Sequence, residues 1–153
     1  MMKITVLLMS ACIFFFPLSV VKAEDDVSAK NAWIPEAPPG MNVMAAYVTI
    51  MNNGDHAMDV TGVSSAQFER IEMHRTVIEN EQARMIKQDR MTISAGESLK
   101  FEPGGRHLML FNPKKSLKEG DEIDLKLTFT GERTLAVKAQ VRKHANMRME
   151  HHR

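Results

Sequence analysis

Two histidines and two methionines in the middle of the chain carry the chemistry of a soft-metal site. Read along the sequence, the set is His, ten residues, Met, twenty-one residues and then His-x-Met, at His74, Met85, His107 and Met109. Thioether sulfur is a soft ligand and imidazole a borderline one, so this mixture suits copper(I) far better than magnesium, calcium or manganese. The pattern therefore predicts a copper(I) site formed by these four side chains.

Chance alone rarely produces this spacing, even in a chain rich in methionine. The 153 residues include 13 Met and 6 His. At these frequencies, about 0.002 accidental matches to two His and two Met positions are expected in the whole chain. Taken singly, each residue has a plainer explanation, since an isolated Met more often fills a gap in a core and an isolated His is more often structural. Only the four together indicate a site.

The elements around the set are expected to bring it together. In a strand, residues two apart face the same side, so His107 and Met109 would point together while Leu108 and Leu110 face the core. The first histidine of the set is expected on a separate strand, and the first methionine in the connection that follows that strand. The ligands would therefore converge only in the folded chain.

A set of this composition is electrically neutral when it is ready to bind. Thioethers carry no proton, so only the two imidazoles must be neutral for a metal to bind. With the ordinary histidine pKa of about 6.5, such a site should hold copper at neutral pH and weaken in acid. Met91, six residues after Met85, is a candidate auxiliary ligand.

The set and its surroundings resemble the PCuAC family of periplasmic copper chaperones, over roughly residues 32–143. The resemblance implies a single-domain, cupredoxin-like Greek-key β-sandwich with no enzymatic activity. It also implies delivery of copper(I) by ligand exchange, with a cytochrome oxidase subunit or a Sco-like assembly protein as the acceptor. One position departs from the pattern, because many family members carry a Met two residues after the first His, where this chain has Thr76.

Other functions stay open on the sequence alone. A copper-buffering or resistance protein without a dedicated acceptor would use the same ligands, and a plain β-sandwich interaction module would use none of them. A blue-copper electron-transfer centre needs a Cys thiolate. The only cysteine, Cys12, lies in an N-terminal segment that we expect to be removed.

Periodicity independently predicts an all-β chain. Short apolar-alternating runs separated by turn residues are typical of an antiparallel β-sandwich. The run Asn52-Asn53-Gly54 predicts a hairpin turn between a strand at 45–51 and a returning strand at 58–63. Further strands are predicted at 67–76, 99–101, 107–111, 123–129 and 135–141.

The first 23 residues have the pattern of a secretory signal peptide. Lys3 is followed by an apolar run over residues 4–21, and Ala23 ends a sequence typical of cleavage sites. We therefore expect export to the periplasm and a mature domain over 24–143, without stable membrane insertion. An uncleaved membrane anchor and a lipoprotein attached through Cys12 are the alternatives.

The nearly balanced charge argues against nucleic acid as a partner. The chain has 20 Lys and Arg against 19 Asp and Glu, and removal of Lys3 and Lys22 would leave 18 against 19. The basic field that nucleic acid requires is therefore missing from the sequence. We expect the mature protein to be a monomer.

The last ten residues are a segment of a different kind. They contain almost no large apolar residue besides Met, so a flexible tail is predicted over 144–153. Five potential ligands lie in this segment, and His-rich tracts bind metals. The tail is therefore a candidate second site, with copper(II) as its metal, formed by His144, Met147, Met149, His151 and His152.

Overall fold

A computed structural model describes residues 26–143, and the predicted signal peptide and tail lie outside them. The described chain forms ten strands and a short 3-10 turn at Thr130–Glu132, so the predicted all-β, single-domain class is confirmed. None of its helical segments is long and apolar enough to cross a membrane. The strands are β1 (Val27–Pro35), β2 (Val43–Asn52), β3 (Met58–Ser64), β4 (Phe68–Glu79), β5 (Gln82–Gln88), β6 (Met91–Ile93), β7 (Ser98–Phe101), β8 (Arg106–Pro113), β9 (Glu122–Phe129) and β10 (Thr134–Arg142).

The strands hydrogen-bond in the order β5-β4-β8-β2-β1-β10-β9-β3-β6, and β7 also pairs with β2. Strands β1 and β10 run parallel, whereas the pairs that build the site are antiparallel. The first part of β2, residues 43–46, pairs with β8, whereas residues 48–51 pair with β7. Strand β2 therefore joins the β5-β4-β8 ladder to the rest of the fold.

The core follows from alternation along the strands. Five alternate side chains of β2 are buried, four of them apolar, and those between them are partly exposed. Strand β9 repeats the pattern with four buried side chains, and the apolar members of both sets belong to one hydrophobic cluster. Because burial of apolar surface is the main stabilising term in folding, this period of two directs one face of each ladder inward. Side chains on the opposite face point away from the core and can contact a ligand.

The predicted hairpin between residues 45–51 and 58–63 is wrong. Both strands exist, but β3 pairs with β9 and β6, while β2 is already flanked by β1 on one edge and by β7 and β8 on the other. The buried side chain of Asn52 accounts for the absence of a hairpin after β2, because it bonds the end of this strand to other segments. Its amide nitrogen donates to the main-chain carbonyl oxygens of His56 at 2.7 Å, Ile93 at 3.1 Å and Ser94 at 3.1 Å.

The connection after β4 is also different from the prediction, because it is a strand. Strands β4 and β5 form a hairpin whose two loop residues, Asn80 and Glu81, have φ of 50° and 63°. Two successive residues with positive φ are typical of a type I′ turn, which matches the twist of the flanking strands. The usual signal for this turn is a glycine, and here a glutamate takes that position. Met85 therefore lies within a strand.

Candidate metal centre

Two predicted ligands face each other across the β4–β8 ladder. The antiparallel register places His74 directly opposite His107, and the centroids of the two rings are 5.9 Å apart. His107 is 7% exposed, and the side chain of His74 is 12% exposed. A cross-strand pair of imidazoles is therefore held close together and largely shielded from water.

Both rings lie on the face of the ladder that points away from the core. Leu108 and Leu110, which alternate with the predicted ligands of β8, are completely buried, and Met73 beside the first histidine is also buried. This confirms the predicted alternation along β8. We call the outward face of β5, β4 and β8 the site face.

Each imidazole makes one hydrogen bond that determines which of its nitrogens carries the proton. The Nδ1 of His107 lies 3.2 Å from the carbonyl oxygen of Gly105, which can only accept, so Nδ1 donates. The Nε2 of His74 lies 3.0 Å from a carboxylate oxygen of Glu72 and donates to it. The other nitrogen of each ring, Nε2 of His107 and Nδ1 of His74, is left with a free lone pair.

These two lone pairs are the feature that points most directly to a metal. Both nitrogens are buried, and within residues 26–143 neither has a hydrogen-bond partner. A buried polar atom left unsatisfied costs about 1–3 kcal/mol. Two such atoms on adjacent rings fit a metal ion, which accepts both lone pairs at once. A ligating histidine that donates its other N–H to a carboxylate or a carbonyl is the usual arrangement at metal sites.

The two predicted thioether ligands lie on the same face. Met109 follows His107 by two residues on β8 and stands opposite Glu72, which lies two residues before the first histidine on β4. Met85, on β5, stands opposite Thr76 of β4. Diagonal neighbours in a sheet have side chains about 7–8 Å apart, within reach of long side chains. His74 is thus the direct neighbour of one predicted ligand and the diagonal neighbour of the other two.

Two further predictions of ligands have different outcomes. Met91 is buried in the hydrophobic cluster on β6, which pairs with β3, so its thioether packs in the core and is not brought to the site face. The five tail residues, His144, Met147, Met149, His151 and His152, lie outside the described residues, and their role stays a prediction. Between residues 26 and 143, no group of three or more His, Cys, Asp or Glu side chains is arranged to hold a metal.

One polar residue of the site was missed by sequence reasoning. Glu72 lies two residues before His74 on the same face of β4, and its carboxylate also lies 3.2 Å from Nε of Arg70 and 3.6 Å from Nζ of Lys87. The hydrogen bond from His74, together with these two cations, holds the pKa of Glu72 below its usual range despite partial burial. An acid two residues before a predicted ligand was the available signal.

Two comparisons of sequence concern the whole domain. A profile of the family described as "Putative lipoprotein LpqE-like" matches residues 27–141. The chain is also 30% identical over 138 residues to "Putative lipoprotein Lxx21020" of Leifsonia xyli subsp. xyli. That alignment covers 88% of this chain and 82% of the relative.

Solved structures share the fold. The solution structure of CuI-DR1885 from Deinococcus radiodurans superposes with a TM-score of 0.60 at 28% identity, over 81% of this chain and 83% of that one. The copper-bound PCuAC domain from PmoF2 superposes with a TM-score of 0.66 at 19% identity, over 78% of this chain and 94% of that domain. At that identity the second likeness concerns the fold alone. The predicted cupredoxin-like fold is confirmed by these likenesses.

Proposed function

The chain belongs to the LpqE-like family, and from this premise we propose that it is a copper(I)-binding chaperone. The resemblance to the PCuAC family that the ligand spacing indicated is borne out by the family match and by the solved neighbours. One of these neighbours is described as binding CuI. We extend that property to this protein on the strength of its own donor set.

The observation that carries the proposal is the pair of buried, unpartnered imidazole nitrogens on the site face, Nδ1 of His74 and Nε2 of His107. Two neutral rings alone suit several divalent metals, but the thioethers of Met85 and Met109 on the same face favour a soft ion. A neutral set of donors also favours a singly charged ion over a divalent one. Copper(I) meets both conditions.

Delivery by ligand exchange is supported by the unequal exposure of the ligands. The side chain of Met85, on β5, is 63% exposed, whereas His107 is almost fully buried. An incoming thiol or thioether can reach the metal from the β5 side and replace Met85 while the imidazoles still hold the ion. A stepwise exchange of this kind suits transfer better than storage, because the metal is never released to water.

The acceptor we propose is the copper centre of a cytochrome oxidase subunit, reached directly or through a Sco-like assembly protein. Such acceptors present soft ligands of the same class, so the exchange needs no change in the oxidation state of the metal. We propose no catalytic turnover and no nucleic-acid partner, and we expect the protein to act as a monomer.

We place the protein outside the cytoplasm, in the periplasm, on the basis of its N-terminal sequence. Residues 1–23 have the pattern of a signal peptide, and the matching family and relative are both named as lipoproteins. Those names favour the alternative in which Cys12 is lipid-modified, which would tether the domain to a membrane surface. Either form exports the site face to an oxidising compartment, where thioethers do not pair into disulfides.

A second candidate function is copper buffering without a dedicated acceptor. The His/Met-rich tail at 144–153 favours it, because added ligands increase capacity more than selectivity. The two functions differ in what happens when the loaded protein meets an apo acceptor: a chaperone gives up the ion, and a buffer keeps it.

X-ray absorption on the copper(I)-loaded protein tests the proposed ligand set. We expect a first shell containing both nitrogen and sulfur, with one nitrogen ligand fewer in His107→Ala. His56→Ala is the matched control, because this exposed histidine contacts Asp55 away from the site face. A first shell without sulfur in the wild type would contradict the proposed ligands.

A further inference from the structure

We infer that Glu72 is a positioning residue of the metal centre, whose carboxylate determines which nitrogen His74 presents to the cargo metal. The inference rests on the proposed function, but part of it concerns the metal-free protein. It assigns Nδ1 of His74 and Nε2 of His107 as the coordinating atoms.

The two oxygens of the Glu72 carboxylate have different partners. Oε2 accepts the hydrogen bond from Nε2 of His74 at 3.0 Å. Oε1 accepts from Nε of Arg70 at 3.2 Å and lies 3.6 Å from Nζ of Lys87. Two cations therefore hold one oxygen, and this orients the other oxygen toward the imidazole.

The cations that hold the carboxylate are themselves placed by the three strands of the site face. The guanidinium carbon of Arg70 lies 3.9 Å from the centre of the Phe111 ring on β8, within the range of a cation–π contact. Lys87 stands directly opposite His74 on β5. The carboxylate is thus held directly by side chains from β4 and β5, and β8 contributes through the contact of Phe111 with Arg70. Its side chain is largely shielded from water, which strengthens each of these interactions.

The two histidines of the site differ in what holds them. His107 donates to the main-chain carbonyl of Gly105, a partner that no side-chain substitution removes. His74 depends on a carboxylate that a single substitution deletes. Without this carboxylate, the ring is free to rotate about χ2. A protonated nitrogen can then occupy the buried position of Nδ1, where its hydrogen would repel a cation. Outer-shell partners of this kind typically account for a 10–100-fold difference in metal affinity.

Glu72→Ala, Glu72→Gln and the control Glu79→Gln test the inference. Glu79 lies on the same strand, and its carboxylate accepts from Arg84 at 3.2 Å, away from the histidines. In the metal-free protein, nitrogen-15 spectra should show a hydrogen-bonded Nε2–H on His74 in the wild type and in Glu79→Gln. That proton should be lost to exchange with water in Glu72→Ala, and retained in Glu72→Gln, whose amide oxygen still accepts.

Copper(I) affinity should follow the ring spectra. We expect a loss of about 10–100-fold in Glu72→Ala, a smaller loss in Glu72→Gln and none in Glu79→Gln. On anaerobic addition of copper(I), the nitrogen-15 shift of His74 should change at Nδ1 in the wild type. Circular dichroism and denaturation of the metal-free variants check that each one folds. If Glu72→Ala does not fold, Glu72→Gln, which keeps the size of the side chain, tests the positioning role.

The outcomes separate this inference from the proposed function. A wild-type Nε2–H signal and wild-type affinity in Glu72→Ala would overturn the positioning role, while a large loss in His74→Ala would leave the copper function standing. Coordination of His74 through Nε2 would also overturn the assignment. If His74→Ala and His107→Ala both bind copper(I) as the wild type does, the proposed function fails, and the ring spectra still decide whether Glu72 holds His74.

Discussion

The site face has two parts that differ in burial although both carry predicted ligands. On the β4–β8 side, two imidazoles stand opposite each other with little exposure to water. On the β5 side, the predicted ligand Met85 is mostly exposed, as is Ile78, and the apolar neighbour Ile86 is 39% exposed. Under the proposed function, the buried part would retain the metal and the exposed part would exchange it, so the two tasks would lie on different strands of one ladder.

The physical origin of the difference is the position of each strand in the sheet. Strand β8 is flanked by β4 and β2, so its side chains have neighbours on both sides. Strand β5 is the first strand in the order and pairs with β4 alone in the described part of the chain. An edge strand exposes its side chains and one row of backbone groups to solvent. A ligand on such a strand is accessible to an incoming partner.

The largest expected effect comes from the buried part, in the variant His107→Ala. We expect copper(I) affinity to fall by more than about 100-fold, because this removes a ligand itself and not only an outer-shell partner. Competition with a chromophoric copper(I) chelator measures the affinity. His56→Ala, on an exposed loop, serves as the control, and equal affinities of the two variants would show that the buried His107 is not a ligand.

A smaller effect should distinguish the two thioethers through a matched pair, Met109→Ala and Met85→Ala. Met109 is partly buried beside the imidazoles, so its loss should weaken binding more than the loss of Met85, for which we expect about tenfold or less, or roughly 1.4 kcal/mol. Met85→Ala should also speed transfer of copper(I) to a chelator, because the exchangeable ligand is already missing. Stopped-flow transfer kinetics measure this, and a slower transfer from Met85→Ala would refute the proposed exit through β5.

The smallest effect concerns the stability of the metal-free protein in acid. The hydrogen bond from His74 is the largest cause that lowers the pKa of Glu72, so the ionised carboxylate stabilises the folded state above the usual glutamate range. That contribution is lost as the pH falls through the lowered pKa. Near neutral pH, Glu72→Gln should therefore lower the free energy of unfolding by less than about 1 kcal/mol, since the carboxylate side chain is still 19% exposed and water partly screens its ion pairs.

Urea denaturation at several pH values measures the difference between wild type and Glu72→Gln. The difference should shrink toward zero as the pH falls through the lowered pKa of Glu72, where the wild-type carboxylate becomes protonated. In a His74→Ala background the difference should already be smaller at neutral pH, because its main cause is gone. A difference that is independent of both pH and His74 would contradict this account.

Much of the fold could be predicted from local patterns. The alternation of Leu108 and Leu110 with the ligands of β8 indicated which side chains enter the core, and the structure agrees. Such inferences succeed because the period of a strand is a property of the backbone itself. The β-branched run near residues 45–51 predicted β2 for the same reason.

The errors share a different cause. The Asn52-Asn53-Gly54 run has the composition of a hairpin turn. The buried Asn52 amide nevertheless donates to carbonyl groups of distant residues, and the following strand pairs with β9 and β6 and not with β2. Met91 has a plausible spacing for a ligand, yet it packs in the core. In each case the outcome depends on which strands become neighbours, and that information is not local.

The candidate donors could be named from residue types and spacing, because softness and charge are properties of side chains that no fold alters. The folded chain was needed to show that His74 meets His107 across a ladder, that Glu72 bonds to one nitrogen of His74 and that Met85 lies on an exposed edge. Pairing between strands distant in the chain creates these contacts, and burial then distinguishes donors that the sequence presents as equivalent.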